Sequence, residues 1–354
     1  MPRIAIDVRM IRSSGIGVVL DNLLRRLVAL RPEWSFELWG DPCLLGEYRQ
    51  GNVHINAFGA SIYSLREQGL GWLLAKSRPD LVWSPHYNVP LLWRGPQLVT
   101  VHDVLHLAHP TLFPGGLKQG YAHTMLGQVC KRADHIIFVS EFTRQEFGRL
   151  VGEPSGAASV IHNGVDAEFF FRPRRPPRDR PYMLLVGNIK PHKNLRRMIQ
   201  AFRLIENRIP HDLVLVGRKE GFITGDGSLE DYAASPRIQF TGFIPDDLLA
   251  SYYAHAALLA MPSCYEGFGL PPLEAMASGS LVLAAQTSSL PEVCGDAALY
   301  CDPLDVMDMA EKLHRLLTDD GLRARLRGLG QERVRQFRWD DAALRYLDVM
   351  QARL

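Results

Sequence analysis

The chain has 354 residues, of which 47% are hydrophobic, and its formal net charge is only +2. The length and hydrophobic content favour two globular domains with a core each, and the small net charge argues against nucleic-acid binding. No apolar stretch approaches the ~20 residues of a membrane-spanning helix, and the N-terminus has a strand pattern rather than a signal peptide. We therefore expect a cytoplasmic protein, in which the five cysteines, without a C-x-x-C pair, are isolated thiols.

Short apolar runs alternate with amphipathic stretches along the chain. The apolar runs predict thirteen strands, at 3–8, 34–39, 53–57, 80–83, 97–101, 135–139, 158–161, 182–187, 212–217, 237–241, 256–261, 280–284 and 297–301. The amphipathic stretches predict helices, among them 17–30, 62–78, 117–133, 140–151, 194–208, 271–278, 304–318 and 320–336. Alternation of nearly continuous apolar strands with helices indicates an α/β fold with parallel sheets covered on both faces. Thirteen strands are more than a single open sheet usually contains.

One break divides the chain. Residues 172–181 hold four prolines and five arginines, which is the composition of a solvated, semi-stiff linker. We therefore predict a first domain over residues 1–175 and a second, Rossmann-like domain over 176–338, followed by an amphipathic stretch at 339–354. A surface loop inside one domain is the alternative interpretation of the proline-rich segment.

Two glycines, Gly15 and Gly17, follow the first predicted strand and open a helix. A dinucleotide-binding fingerprint needs a third glycine, where Leu20 stands, and a first glycine closer to the strand. A two-domain NAD(P)-dependent oxidoreductase is therefore kept only as an alternative.

His102 and Asp103 stand at the end of a predicted buried strand. Together with His106 and His109, His102 suggests a zinc site, but Pro110 and the strand context break the helical spacing of such ligands. A structural, hydrogen-bonded His102 is a second alternative. No Asp-x-Asp triplet occurs, the pair with which many sugar transferases hold a metal on the diphosphate. We therefore expect no metal cofactor.

The segment 187–194 lies between a strand end and a helix, where open α/β sheets bind ligands. The chain has seven lysines against 33 arginines, yet Lys190 and Lys193 fall together here. A compact ammonium at this point can neutralise a leaving diphosphate. The alternative is an exposed loop at a helix start.

The stretch from Ser263 to Gly279, SCYEGFGLPPLEAMASG, follows the apolar run at 256–261 and predicts a strand, a glycine loop and a short helix. A helix start attracts phosphate through its free N–H groups and its dipole, and glycines let a ligand approach the backbone. Glu266 in the loop and Glu274 in the first helical turn can each bind a sugar hydroxyl. The stretch therefore describes a sugar-nucleotide site, unless Glu274 only caps its own helix.

This stretch resembles the signature of the glycosyl transferase group 1 family, and further matches extend over nearly the whole chain. The resemblance implies the GT-B fold: two Rossmann-like, doubly wound parallel-sheet domains that face each other across a cleft. In that fold the C-terminal helix, here 339–354, packs back on the first domain. The resemblance also implies a retaining, nucleotide-sugar-dependent glycosyltransferase of the mannosyltransferase-like branch.

The resemblance also implies residue roles. Glu274 would bind the nucleotide ribose, Lys193 the diphosphate, and His102 the donor sugar near the reacting carbon. The implied catalytic residues are His102, Lys193 and Glu266. The implied donor-binding residues are Gly15, Gly17, Asn188, Lys193, Phe243, Ile244, Glu266, Gly267, Phe268, Gly269, Leu270 and Glu274, and Asp103 is a candidate on the acceptor side.

Two positions depart from the family pattern. Asn188 stands where many members have arginine, and His192 stands where arginine often precedes the lysine. Both departures reduce the positive charge of the segment 187–194. Arg218 and Lys219 at the next strand end are therefore the next candidates for phosphate contacts.

We expect a retaining hexosyltransferase that moves a sugar, namely mannose from GDP-mannose, onto a glycan or lipid-linked glycan acceptor in the biosynthesis of surface polysaccharide such as lipopolysaccharide. Residues 1–175 hold 19 Lys and Arg against 15 Asp and Glu, which favours an anionic membrane surface or a diphosphate-linked acceptor. Peripheral contact with the cytoplasmic face of the inner membrane fits this balance. Besides the NAD(P)-dependent oxidoreductase, a catalytically silent glycan-binding relative is the other alternative to this function.

Overall fold

The computed structural model describes residues 1–112, 116–172, 174–217 and 235–354. Within these residues the chain forms two compact units, one made of residues 1–164 and 339–354 and the other of residues 165–338. The five cysteines carry free thiols. Among the helices in these ranges, none is long and apolar enough to cross a membrane.

The first unit is built on a seven-stranded parallel sheet in the order β3-β2-β1-β4-β5-β6-β7. Its strands are β1 (Arg3–Asp7), β2 (Ser35–Gly40), β3 (Val53–Ala57), β4 (Leu81–Ser84), β5 (Gln97–Val101), β6 (His135–Phe138) and β7 (Ala157–Val160). The central strands β4 and β5 are buried at every residue, as expected for a sheet covered on both faces.

The helices of the first unit are α1 (Ser14–Leu30), α2 (Gly69–Ser77), α3 (Leu105–Ala108), α4 (Leu117–Arg132) and α5 (Glu141–Leu150). Short 3₁₀ turns cover Pro42–Leu44, Gly46–Tyr48, Leu65–Gln68 and Pro110–Leu112. Helix α5 begins where Ser140 Oγ accepts the Thr143 amide at 3.0 Å, a side-chain cap of the usual kind.

The second unit is built on a six-stranded parallel sheet in the order β10-β9-β8-β11-β12-β13. Its strands are β8 (Tyr182–Val186), β9 (Asp212–Val216), β10 (Ile238–Gly242), β11 (Leu258–Met261), β12 (Leu281–Ala285) and β13 (Leu299–Cys301). Its helices are α6 (Ala167–Phe171), α7 (Leu195–Ile205), α8 (Asp246–His255), α9 (Leu270–Ala277), α10 (Leu290–Cys294), α11 (Val306–Thr318) and α12 (Asp320–Val334). Further 3₁₀ turns cover Pro191–Lys193, Glu206–Arg208 and Gly295–Ala297.

The last helix, α13 (Trp339–Gln351), belongs to the first unit although it follows the second in the chain. Its Tyr346 hydroxyl lies 3.1 Å from the Thr100 hydroxyl of β5, and its ring packs 5.4 Å from that of Trp83 in β4. Asp340 accepts a hydrogen bond from Arg26 of α1 at 2.7 Å. Helix α13 therefore packs against β4 and β5 of the first sheet.

The α/β fold class is confirmed, and all thirteen predicted strands are present with ends that shift by at most two residues. Helices α3, α6, α8 and α10 are additional to the predicted ones, because short or weakly periodic helices leave little pattern. Helix α1 begins at residue 14 rather than 17, and the predicted helix 62–78 is a 3₁₀ turn followed by α2.

The division between the units falls after residue 164, earlier than the predicted domain boundary at 175. The reason is that α6 packs on the second unit: Phe170 meets the Tyr253 ring edge-on at 5.7 Å. Arg174 then contacts Asp247 of α8 at 3.2 Å. Part of the arginine- and proline-rich segment is thus held against the second unit.

Candidate active site

A pocket opens at the carboxyl ends of β8, β9 and β11 in the second unit. The chain runs outwards in one direction from β8 and in the other from β11, so these neighbours form the switch point where open α/β sheets bind ligands. Asn188 and Lys193 line the pocket together with Gly187 and Ser263. Gly187 has φ +140°, and a Cβ on Gly217 would lie 2.0 Å from the Gly187 carbonyl oxygen, so these strand ends meet at backbone contact.

Lys193 is paired with Glu266 at the edge of this pocket. Its Nζ donates to Glu266 Oε1 at 2.6 Å, and the two side chains are 19% and 12% exposed. The lysine loop is fixed to the segment after β11, because Asn194 Nδ2 donates to the Pro262 carbonyl at 3.0 Å and the Cys264 amide to the His192 carbonyl at 2.8 Å. Two of the predicted catalytic residues are therefore brought into direct contact.

The glycine loop that carries Glu266 is held by two serines. The Glu266 amide donates to Ser288 Oγ at 3.1 Å, and the buried Ser289 hydroxyl donates to the Phe268 carbonyl at 2.7 Å. Gly269, with φ +107°, then turns the chain into α9, which begins at Leu270 with prolines in its first turn. The sequence analysis assigned no role to Ser288 or Ser289.

Glu274 lies in the second turn of α9, not in the first as predicted, because the helix begins one residue earlier than expected. The carboxylate is partly buried, and the Tyr253 hydroxyl donates to its Oε2 at 2.7 Å. Burial raises the pKa of Glu274 to about 7, and the charge of Asp246 adds to this effect while the tyrosine opposes it. Glu274 is thus a half-ionised group near neutral pH.

Tyr253 is a further residue of this unit that sequence reasoning missed. It lies in α8, which was not predicted, and its side chain is fully buried. The signal available was the pair Asp246–Asp247 after Pro245, since acidic residues favour the first turn of a helix.

The remaining donor-side candidates of this unit lie at the end of β10. Gly242 has φ +72°, Phe243 is exposed and Ile244 is partly buried. Arg218 and Lys219, the alternative sources of positive charge, lie outside the described residues.

In the first unit, Gly15 and Gly17 lie inside the first turns of α1 rather than in a loop before it. The turn after β1 passes directly into the helix through backbone hydrogen bonds such as Ser13 N to Met10 O at 2.8 Å. A Cβ on Gly17 would lie 2.7 Å from the Ile11 carbonyl oxygen, so glycine is required there by packing. A Cβ on Gly15 would meet nothing within 4 Å.

His102 is buried at the carboxyl end of β5. Its Nε2 lies 2.9 Å from the Pro85 carbonyl, which can only accept, so Nε2 carries the proton and Nδ1 is the acceptor. Burial lowers the pKa of His102, and the ring is therefore neutral at neutral pH. Asp103 Oδ1 accepts the Leu105 amide at 3.0 Å and so begins the short helix α3.

A buried polar cluster at the same edge was not foreseen from the sequence. Arg9 donates to Asp7 at 2.6 Å and to Glu67 at 3.4 Å, and Asn88 donates to the Tyr121 hydroxyl at 2.7 Å. Glu67 is buried and also accepts from Tyr121. Only Asp7, at the carboxyl end of β1, carried a sequence signal for this cluster.

The suggested zinc ligands make other contacts. His106 Nδ1 lies 3.2 Å from the Tyr87 hydroxyl, and His102 is bound to a carbonyl as described. The described ranges contain no group of three or more His, Cys, Asp or Glu side chains arranged to hold a metal ion.

Two Rossmann-like units, each with polar residues at the carboxyl edge of its sheet, define the GT-B fold. The structure superposes on sucrose-phosphate synthase from Thermosynechococcus elongatus with a TM-score of 0.80 at 20% identity, covering 99% of both chains. It superposes on Anabaena HepE in complex with UDP-glucose with a TM-score of 0.78 at 18% identity, covering 99% of this chain and 100% of that one.

The sequence relationships are more specific. The profile of glycosyl transferases group 1 matches residues 166–333, and that of glycosyltransferase family 4 matches residues 13–169. The chain is 31% identical to O-antigen chain mannosyltransferase B of Escherichia coli, over 93% of each chain. It is 30% identical to O-antigen chain mannosyltransferase RfbU of Salmonella typhimurium, over 66% of this chain and 64% of that one.

The chain belongs to the glycosyl transferase group 1 family and is a glycosyltransferase. This confirms the predicted family and fold, and it replaces the NAD(P)-dependent oxidoreductase alternative.

Proposed function

We propose that this glycosyltransferase is a retaining hexosyltransferase that moves mannose from GDP-mannose to a glycan or lipid-linked glycan in surface polysaccharide biosynthesis. The mannosyl specificity is supported by the names of the O-antigen mannosyltransferases that match most of the chain. The observation that carries the donor site is the shielded Lys193–Glu266 pair at the carboxyl edge of the second sheet.

In this proposal Lys193 neutralises the diphosphate as it leaves. Before a donor binds, its charge is balanced by Glu266 at 2.6 Å, so a diphosphate has to share or replace that partner. The loop from Gly267 to Leu270 offers backbone N–H groups at the start of α9, where an anion is favoured. Glu266 is then available to a hydroxyl of the donor sugar.

Glu274 has the role of binding the ribose. Tyr253 occupies Oε2, which leaves Oε1 to accept from ribose hydroxyls. Asn188 lines the pocket beside Lys193. The backbone of Phe243 and Ile244 has the role of contacting the base.

On the first unit, His102 has the role of accepting a hydrogen bond from a donor-sugar hydroxyl through Nδ1. It is a poor general acid, because burial keeps the ring neutral. Gly15 and Gly17 are assigned a position close to the donor diphosphate and the acceptor. Asp103 is assigned to the acceptor side.

The chemistry follows from these roles. The acceptor hydroxyl attacks the anomeric carbon on the face from which the nucleotide leaves, so the configuration is retained. The bond from that carbon to the phosphate oxygen breaks, its electron pair goes to the diphosphate, and the diphosphate takes the hydroxyl proton. Lys193 and the loop amides stabilise the charge that develops, so we propose that no metal ion is needed.

The test is a scan of nucleotide sugars against purified protein, measured by release of nucleoside diphosphate and by thermal protection. GDP-mannose should give the largest response, and Lys193→Ala should slow release about 10²-fold or more while the fold, checked by circular dichroism, persists. A protein that responds to no nucleotide sugar would instead be the silent glycan-binding relative. With a glycan acceptor, an inverted anomeric configuration in the product would refute retention.

A further inference from the structure

Exposed apolar side chains that are not among the residues assigned to the donor lie on the first unit. Leu65, Trp72 and Leu92 expose 95%, 56% and 59% of their surface. They belong to a surface, here named the basic ridge, that consists of residues 65–78 and 89–94. Single exposed apolar residues are ordinary, but three on one surface require an explanation.

The basic ridge is one rigid surface. Gln68 Oε1 accepts the Leu91 amide at 2.8 Å, and a Cβ on Gly71 would lie 2.8 Å from the Leu92 Cβ, so the loop rests directly on α2. The opposite side of α2 is anchored in the core through Leu70 and Leu74. The exposed side chains are therefore presented by a fixed element rather than by a free loop.

The exposed charge of the basic ridge is positive. Its exposed charged residues are Arg66, Lys76, Arg78 and Arg94. Glu67 is the one acidic residue in residues 65–78 and 89–94, and it is buried against Arg9 and Tyr121. Lys76 lies one helical turn after Trp72, with its Nζ 3.4 Å from the centre of that ring, so charge and aromatic surface are presented together.

We propose that the basic ridge binds the surface of an anionic lipid bilayer. A tryptophan flanked by basic residues matches the headgroup level of a membrane, where the ring is partly buried and the charges meet anionic lipid. A protein partner is a poorer fit, because lysine is depleted in the buried core of protein interfaces.

The position of the basic ridge suits the proposed acceptor. Leu65 is exposed on the same 3₁₀ turn whose Glu67 is buried in the polar cluster at the carboxyl edge of the first sheet. A glycan anchored in the bilayer would therefore be presented close to that edge. This step rests on the proposed function, whereas the lipid binding itself does not.

The test is cosedimentation of the full chain with vesicles of phosphatidylcholine alone and of phosphatidylcholine with phosphatidylglycerol. The wild type should bind only the anionic vesicles, and less at high salt. Lys76→Gln should lower the partition coefficient about fivefold, the effect of one basic residue near such a surface, and Trp72→Ala should also lower it. The matched controls are Arg325→Gln on the exposed side of α12 in the second unit and Leu344→Ala on α13, which should bind as the wild type does.

Three outcomes would overturn the proposal: no binding to anionic vesicles, equal binding to neutral ones, or binding that Trp72→Ala and Lys76→Gln leave unchanged. Self-association without lipid that Trp72→Ala abolishes would instead make the basic ridge an interface between copies. Transfer to a water-soluble acceptor should be unchanged in both ridge variants. A protein that binds vesicles but transfers no sugar would refute the proposed function and leave the lipid surface standing.

Discussion

The ionisation of Glu274 should control nucleotide affinity near neutral pH. Its pKa is about 7 because burial disfavours the charged carboxylate. A carboxylate accepts hydrogen bonds from ribose hydroxyls, whereas the protonated acid loses part of that capacity. Glu274→Gln keeps the size of the side chain and imitates the protonated form at every pH.

The magnitude follows from the pKa. With a value of about 7, roughly nine-tenths of the wild type is ionised at pH 8 and about one-tenth at pH 6. If only the ionised form binds well, affinity for GDP should fall about tenfold between these values, or about 1.4 kcal/mol. At pH 8 Glu274→Gln should bind GDP about tenfold or more weakly than the wild type does, and Glu274→Ala should cost about 1–3 kcal/mol.

The raised pKa of Glu274 also affects folding stability, in the direction opposite to its effect on nucleotide affinity. The pKa is raised in the folded protein, from the ordinary 4.5 to about 7, so the folded state loses stability relative to the unfolded chain as the pH rises through this range. The loss at pH 8 is up to about 3 kcal/mol. Glu274→Gln should therefore unfold at higher denaturant concentration than the wild type at pH 8, with little difference at pH 4.

The assay is titration calorimetry of GDP with wild type and Glu274→Gln at several pH values. The terminal phosphate of GDP ionises in the same range, but it does so for both proteins, so the difference between them isolates Glu274. Equal pH dependence in the two proteins, or unchanged affinity in a folded Glu274→Ala, would refute the ribose role.

Further outcomes are expected elsewhere in the molecule. Lys193→Ala should lower kcat about 10²-fold or more in a steady-state transfer assay, because its charge matters most as the diphosphate leaves. Lys190→Ala should cost far less, and equal small effects would place the phosphate contact elsewhere. EDTA should leave turnover intact, and loss that magnesium or manganese restores would show a metal-dependent reaction. Burial lowers the pKa of His86 to about 3, so stability should fall as the pH drops below about 6.5, by about 2 kcal/mol at pH 5. Urea unfolding of His86→Asn should show a smaller loss, and an identical pH profile would contradict this cause.

The strands were predictable because each is a short apolar run between turn residues. Helix α8 was not predictable in the same way. It is held by contacts of Tyr253 with α9 and α6, which are distant from it in the sequence and leave no local pattern. The boundary after residue 164 was missed for a related reason: composition identifies a solvated segment, but the packing of Phe170 on Tyr253 decides to which unit its neighbours belong.

The residues of the candidate site were predictable where they fall in one stretch, as Glu266 and Glu274 do. Contacts across the chain were not: nothing in the spacing of Lys193 and Glu266 shows that they pair. The alternative of a structural, hydrogen-bonded His102 fits its contact with Pro85, but the tautomer that leaves Nδ1 as acceptor required the geometry. The Arg9 cluster likewise draws on β1, the turn before α2, and α4.

The return of α13 to the first unit has a consequence for the order of synthesis. A ribosome releases residues 1–164 first, but their sheet lacks Tyr346 against Trp83 until residues 339–354 have emerged. The second unit is continuous in the chain and can close before the first does. The part of the molecule that is made first is thus finished last. A chain shortened by its final helix would leave apolar surface uncovered on the first unit while the second remained complete.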